Sequence, residues 1–230
     1  MTARSAGTVL FGDVVDSRRD PGSSDWLRAL CAELEGAYPR ADRLAAFAFT
    51  QGDEVQGLLA PGVDPFRAVL HAALQPDARS LRWAIVAGDI DPGTGPATER
   101  NGDAFLVARE AIARAKAHRE GLVAISGDPV ADGLLADTGP LLAALLADLT
   151  SRQREVARLM IIDEMRQSQA AEHLGVSRAT ISVVADRARV RHLQGLGRTL
   201  ASIFDQGVRR TMVEPGAPTT LTTGTPVSPA

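Results

Sequence analysis

Residues 167–193 read QSQAAEHLGVSRATISVVADRARVRHL, and their spacing specifies two helices meeting at a tight corner. Ala171 is small where two helix axes must cross closely. Gly175, four residues on, supplies the positive φ that a short turn demands. Leu174 and Val176 flank that glycine and point inward, Ser177 stands where an N-cap is needed, and Ile181 and Val184 repeat at the spacing that packs the second helix on the first. Together they meet the steric requirements of a helix-turn-helix. Arg178, Ala179, Ser182, Val183 and Asp186 are left facing outward. The expected partner of such a surface is DNA. Ser177, Arg178, Ala179 and Thr180 open the second helix and would meet base edges or phosphates in the major groove, with Ser182 one turn on. Arg187, Arg189 and Arg191 offer phosphate contacts. The plainer alternative is a three-helix bundle for protein contacts.

Working outward, LTSRQREVARLMIID at 149–163 is an amphipathic helix that supports the pair. Residues 149–193 as a unit resemble the terminal DNA-binding domains of sigma-factor (region 4) and LuxR-type regulators. A homodimer is expected, since one such unit reads only a half-site.

The chain has 230 residues, 45% hydrophobic and 23% charged, the composition of a globular protein of one or two domains. Its net charge of -3 is uneven. Residues 1–149 carry 14 basic and 21 acidic side chains, whereas 150–200 carry nine arginines against five acids. A basic segment behind an acidic one suits a polyanion-binding module joined to a different unit. Lys116 is the only lysine. The single cysteine, Cys31, excludes an intramolecular disulfide framework and points to a cytoplasmic setting. No apolar run in the sequence reaches the roughly 18–20 residues of a membrane span, so no membrane partner is expected.

Before the helical unit, apolar β-branched runs predict strands at 8–15, 45–50, 54–60, 81–90 and 122–126. Helical spacing predicts helices from Asp25, over 64–74 and over 103–118, then two short ones near 128–136 and 140–148. The first six elements follow the order β-α-β-β-α-β. The expected fold class is therefore α+β, a ferredoxin-like antiparallel sheet with helices on one face, followed by an all-α domain. The domains expected are 1–138, 139–210 and a disordered tail over 211–230, where PGAPTTLTTGTPVSPA lacks apolar periodicity.

Two carboxylates stand out: Asp13 in FGDVVDS at the end of the first strand, and Asp53 in QGDEVQGLL at the hairpin turn. On neighbouring strands they would converge at the sheet edge and hold Mg2+ or Mn2+ carrying a nucleotide's phosphates. Their alternative role is to cap a strand end and a turn, where Asp is favoured. Asp16, Arg18 and Arg19 would reach a phosphate or solvate the loop.

FGDVVDSRR resembles the metal-binding first strand of class III nucleotidyl cyclases, and QGDEVQGLL their metal-bearing hairpin, which is also similar to the GGDEF turn of diguanylate cyclases. GDVVDSRR, TQGDEVQGLL and the AREAI helix together most resemble the bacterial SatD family, over about residues 8–125. The resemblance implies that Asp13 and Asp53 bind metal, that the backbone from Val14 to Ser17 embraces phosphates, and that Arg109 steadies the transition state. Phe105 stands where cyclases place an asparagine, no lysine for the purine lies near Thr50 and Gln51, and only one glycine precedes Asp53. A site short of these contacts is expected to bind a nucleotide or cyclic nucleotide rather than turn it over. The reading is thus a transcriptional regulator with a nucleotide-sensing amino-terminal half. Its alternative is a metal-dependent nucleotidyl cyclase or other phosphoryl-transfer enzyme attached to a DNA-binding domain.

Overall fold

A computed structural model describes residues 5–16, 22–50, 53–118 and 121–213. In chain order the elements are β1 (Ser5–Val14), α1 (Ser23–Ala37), β2 (Arg43–Phe49), β3 (Glu54–Leu59), α2 (Phe66–Ala73), β4 (Leu81–Ile90), α3 (Asp103–His118), β5 (Leu122–Ile125), α4 (Pro129–Ala147), α5 (Ser151–Ile161), α6 (Gln167–His173), α7 (Arg178–Arg187) and α8 (Val190–Val213). The chain is a mixed α/β protein with one five-stranded sheet, ordered β2-β3-β1-β4-β5.

The sheet differs from the wholly antiparallel one expected. β2, β3, β1 and β4 pair antiparallel, but β5 runs parallel to β4. Its cause is the connection: α3 carries the chain back along β4, and a strand reached through a helical crossover enters parallel to the one it left. The helices also cover both faces rather than one. Val9, Phe11, Ala84, Val86, Val123 and Ile125 meet Ala104, Phe105, Ala108, Ala111, Ile112 and Ala115 of α3. Leu10, Val14, Trp83 and Ile85 face the other way, toward α1, α2 and the carboxy-terminal helices. Strands buried on both sides read as unbroken apolar runs, which is why TVLF and WAIVA show no alternation.

Two short helices were expected across 128–148, yet α4 is continuous, with Pro140 inside it. An internal proline costs a helix about 3 kcal/mol. Leu135, Leu142 and Leu146 lie on one buried side of α4, and each contributes roughly 2 kcal/mol on burial, enough to outweigh the break. Joined in this way α4 becomes long and apolar enough to cross a membrane by length and composition. Here it packs on β5 and α8, and Asp132 accepts hydrogen bonds from the Ser126 amide and hydroxyl at 2.6 and 2.7 Å. Val130, Leu134 and Leu141 remain exposed on its outer side.

The long helix α8 places Val190, Leu193, Leu200, Phe204 and Val208 inward at helical spacing. Phe204 meets Phe66 of α2 edge-on, ring centroids 6.0 Å apart. The apolar cluster on this side of the sheet runs without interruption through α4 into α5–α8. Position 138, the expected end of the sheet domain, lies inside α4. The expected tail begins within α8, and its residues after Val213 lie outside those described.

Candidate functional site

At the end of β1, Asp13 shares a face with Val9 and Phe11, so its side chain points at α3. It is 3% exposed, paired in register with Glu54 on β3 and Arg82 on β4. Lys116 Nζ on α3 lies 2.7 Å from Asp13 Oδ1, at ion-pair distance though not aligned as a hydrogen bond. The Arg82 guanidinium stands 3.6 Å from Oδ2. Glu54 beside it accepts a hydrogen bond of 2.6 Å from the Gln56 amide.

This geometry places the expected nucleotide site residue by residue. Asp53 does come beside β1: its carbonyl accepts the Val14 amide at 2.9 Å. That bond, and the one from the Val15 amide to the Ser80 carbonyl, commit two backbone donors expected for phosphates, and the Val14 side chain is buried in the core. Asp16 is exposed, with φ of 58°. Ser17 and Arg18 lie outside the described residues. Arg109 is exposed on α3. The α3 residue that meets Asp13 is Lys116, two turns and roughly 10 Å further along the helix. A divalent cation at Asp13 would have to displace Lys116, and among the described residues no group of three or more His, Cys, Asp or Glu is placed to hold a metal. Lys116 and Arg82 thus stand beside the carboxylate at which Mg2+ or Mn2+ was expected. Lys116, the only lysine, was visible in the sequence, as was Asp13; their pairing was not.

The helical corner is built from local rules. Thr150 opens α5 with a capping box, its amide donating to Gln153 Oε1 at 2.8 Å. At the end of α6, Gly175 adopts φ of 62°, the Val176 amide reaches the Ala171 carbonyl at 3.0 Å, and the Gly175 amide reaches Glu172 at 3.2 Å. These two bonds form a Schellman termination, which satisfies carbonyls that the helix end leaves open. Ser177 then caps α7, its hydroxyl accepting the Thr180 amide at 3.1 Å. Ala170, Ala171, Ile181 and Ala185 are buried where α6 and α7 cross.

What this packing leaves outside is the start of α7. Arg178, Ala179 and Thr180 are exposed, and Ser182 is half-buried. The Ser177 and Thr180 hydroxyls lie 2.9 Å apart and engage one another. Between the start of α6 and the α7–α8 junction runs a cleft of about 680 Å³ lined by Arg166, Arg178, Arg189 and Arg191, with Asp186 the single carboxylate among its described lining residues. Arg189 sits in the left-handed region at φ of 52°, a conformation costly for a residue with a Cβ, and there it turns the chain from α7 into α8. Arg187 is exposed on the last turn of α7 but does not line the cleft. Arg166 was missed by sequence reading, because it lies before α6 and only the crossing of helices brings it to Arg178.

Comparison with protein-family models, curated proteins and solved structures found no match to this chain. Its chemistry therefore rests on its own geometry.

Proposed function

We propose that this protein is a bacterial DNA-binding transcriptional regulator, with α5–α8 as its helix-turn-helix unit and the sheet portion as its regulatory half. The carrying observation is the cleft beside α7, where four arginines face one carboxylate and Arg178 projects from the capped amino-terminal turn. Exposed donors there suit phosphate oxygens and base edges, and the buried Ile181 and Ala185 hold the helix that presents them. The order β2-β3-β1-β4 supports reading the first half as ferredoxin-like and cyclase-like, with β5 added at the edge. In that half Lys116 and Arg82 are the groups that would meet a nucleotide's phosphates, without metal. The protein acts as a cytoplasmic homodimer, so that two copies of α7 read an inverted repeat.

The test is selection from a random duplex library, followed by fluorescence anisotropy at increasing salt. Affinity falls steeply with salt, Arg191→Ala lowers the slope by about one, and Arg178→Ala weakens the selected site more than random duplex. Absence of salt-sensitive duplex binding sinks the proposal; equal affinity in Arg178→Ala sinks the role of α7.

A further inference from the structure

A cavity of about 510 Å³ lies between the sheet portion and the carboxy-terminal helices. Val69 of α2, Trp83 of β4, and Ala143 and Ala147 of α4 give it apolar walls; Arg79 of the α2–β4 loop and Arg154 of α5 also line it. Its volume falls in the range of about 300–1,000 Å³ that ligand sites occupy. No carboxylate is found among its described lining residues.

The charges around it are not equivalent. Arg82, also at the wall, is paired with Asp13. Arg79 is held over the Trp26 ring, 6.0 Å from its centroid. Arg79 Nε and Arg154 Nε are both buried with no hydrogen-bond partner among the described residues, but no ring or carboxylate among those residues stands against Arg154. A buried donor on a cation without an acceptor is costly, and an anionic head group arriving from solution removes that cost. One uncommitted cation beside apolar walls selects a particular chemistry: a single negative charge on an apolar body.

We propose that this cavity is an effector site for an amphipathic monoanion, with the carboxylate or phosphate monoester on Arg154 and the alkyl or aryl body against Trp83, Val69 and Ala143. The site lies on the Trp83 face of the sheet and the Asp13 carboxylate on the α3 face, with Arg82 at the wall of one and beside the other. A nucleoside triphosphate carries too many charges for the cavity. Arg154 stands on α5, one turn before Arg158, whose guanidinium holds Glu33 of α1. Ligand in the cavity thus bears on the helix that joins the sheet portion to α6 and α7. Its effect on DNA rests on the function proposed above; its occupancy does not.

The test is calorimetric titration of the full chain with decanoate, 2-naphthoate and decyl phosphate, with decanol as the uncharged control. At least one anion binds one-to-one, and at least tenfold more tightly than decanol. Arg154→Gln brings that anion to the level of the alcohol. Ala147→Trp, at an exposed position whose side chain enters the cavity, abolishes binding while the melting temperature is kept, and Ala73→Leu repeats the blockade from α2. Failure of all three anions on wild-type protein overturns the proposal, as does equal binding of acid and alcohol, or unchanged binding in both filled variants. Duplex affinity with and without the bound anion is measured separately, so a protein that binds no DNA still decides the site.

Discussion

Arg158 of α5 places a guanidinium nitrogen 2.8 Å from Glu33 Oε1 on α1, the same oxygen that His71 Nδ1 of α2 reaches at 2.7 Å. Gln75 donates to the other oxygen at 2.7 Å. One carboxylate thereby ties the helical corner to both helices on that side of the sheet.

Glu33 makes acid stability a readout of this junction. Burial alone raises its pKa, but hydrogen bonds from His71, Gln75 and Arg158 outweigh it and hold the carboxyl down at about 2, against an ordinary 4.5. A folded pKa below the unfolded one gives stability that is complete above about 4.5 and fades as pH falls toward about 2. Urea unfolding should show Glu33→Gln less stable than wild type by about 2 kcal/mol at pH 7, with the gap narrowing below about pH 4.5 and closing only near pH 2. A gap that stays constant with pH would show that the carboxylate charge is not what holds α5.

At Gly207, α8 packs closely against Ser126, next to β5, and Ala131 of α4. A Cβ there would lie 2.7 Å from Ser126 Cβ and 2.8 Å from Ala131 Cβ, both on well-packed backbone. Gly207→Ala should cost about 1–3 kcal/mol through overpacking. Gly195, earlier in the same helix, has nothing within 4 Å of its Cβ position. Gly195→Ala should therefore stabilise by up to about 1 kcal/mol through helix propensity. Thermal melts of the two variants moving in the same direction would refute the close approach.

Cys31 is buried on α1, and burial pushes its thiol up to about 11. At pH 8 roughly one thiol in a thousand is then ionised in the folded protein. Ellman's reagent should label the folded protein slowly and the urea-unfolded protein within seconds to minutes. Rapid stoichiometric labelling under native conditions would place α1 at the surface instead.

The helical corner was legible from Ala171, Gly175, Ser177 and Ile181 because each answers to a neighbour within a few residues: a turn needs its glycine, a helix needs its cap. The strand order of the sheet was less legible. Apolar runs mark strands, but a run buried on both faces says nothing of which neighbours it has, and β5 turned parallel only because α3 crosses over. The continuity of α4 was illegible for a related reason, since the local penalty of Pro140 is real and only the burial of Leu135, Leu142 and Leu146 overrides it.

By itself, then, the sequence determined the corner at 167–193 and the exposure of Arg178, because capping, turn conformation and helical periodicity are local. Tertiary structure alone decided that Asp13 meets Lys116 rather than Arg109, that Arg166 joins Arg178 across a cleft, and that Arg154 faces a cavity beside Trp83. Each of those pairs is distant in the chain or lies on different elements. Their meeting depends on which faces of helices and sheet bury together, a property of the whole core and not of any one segment.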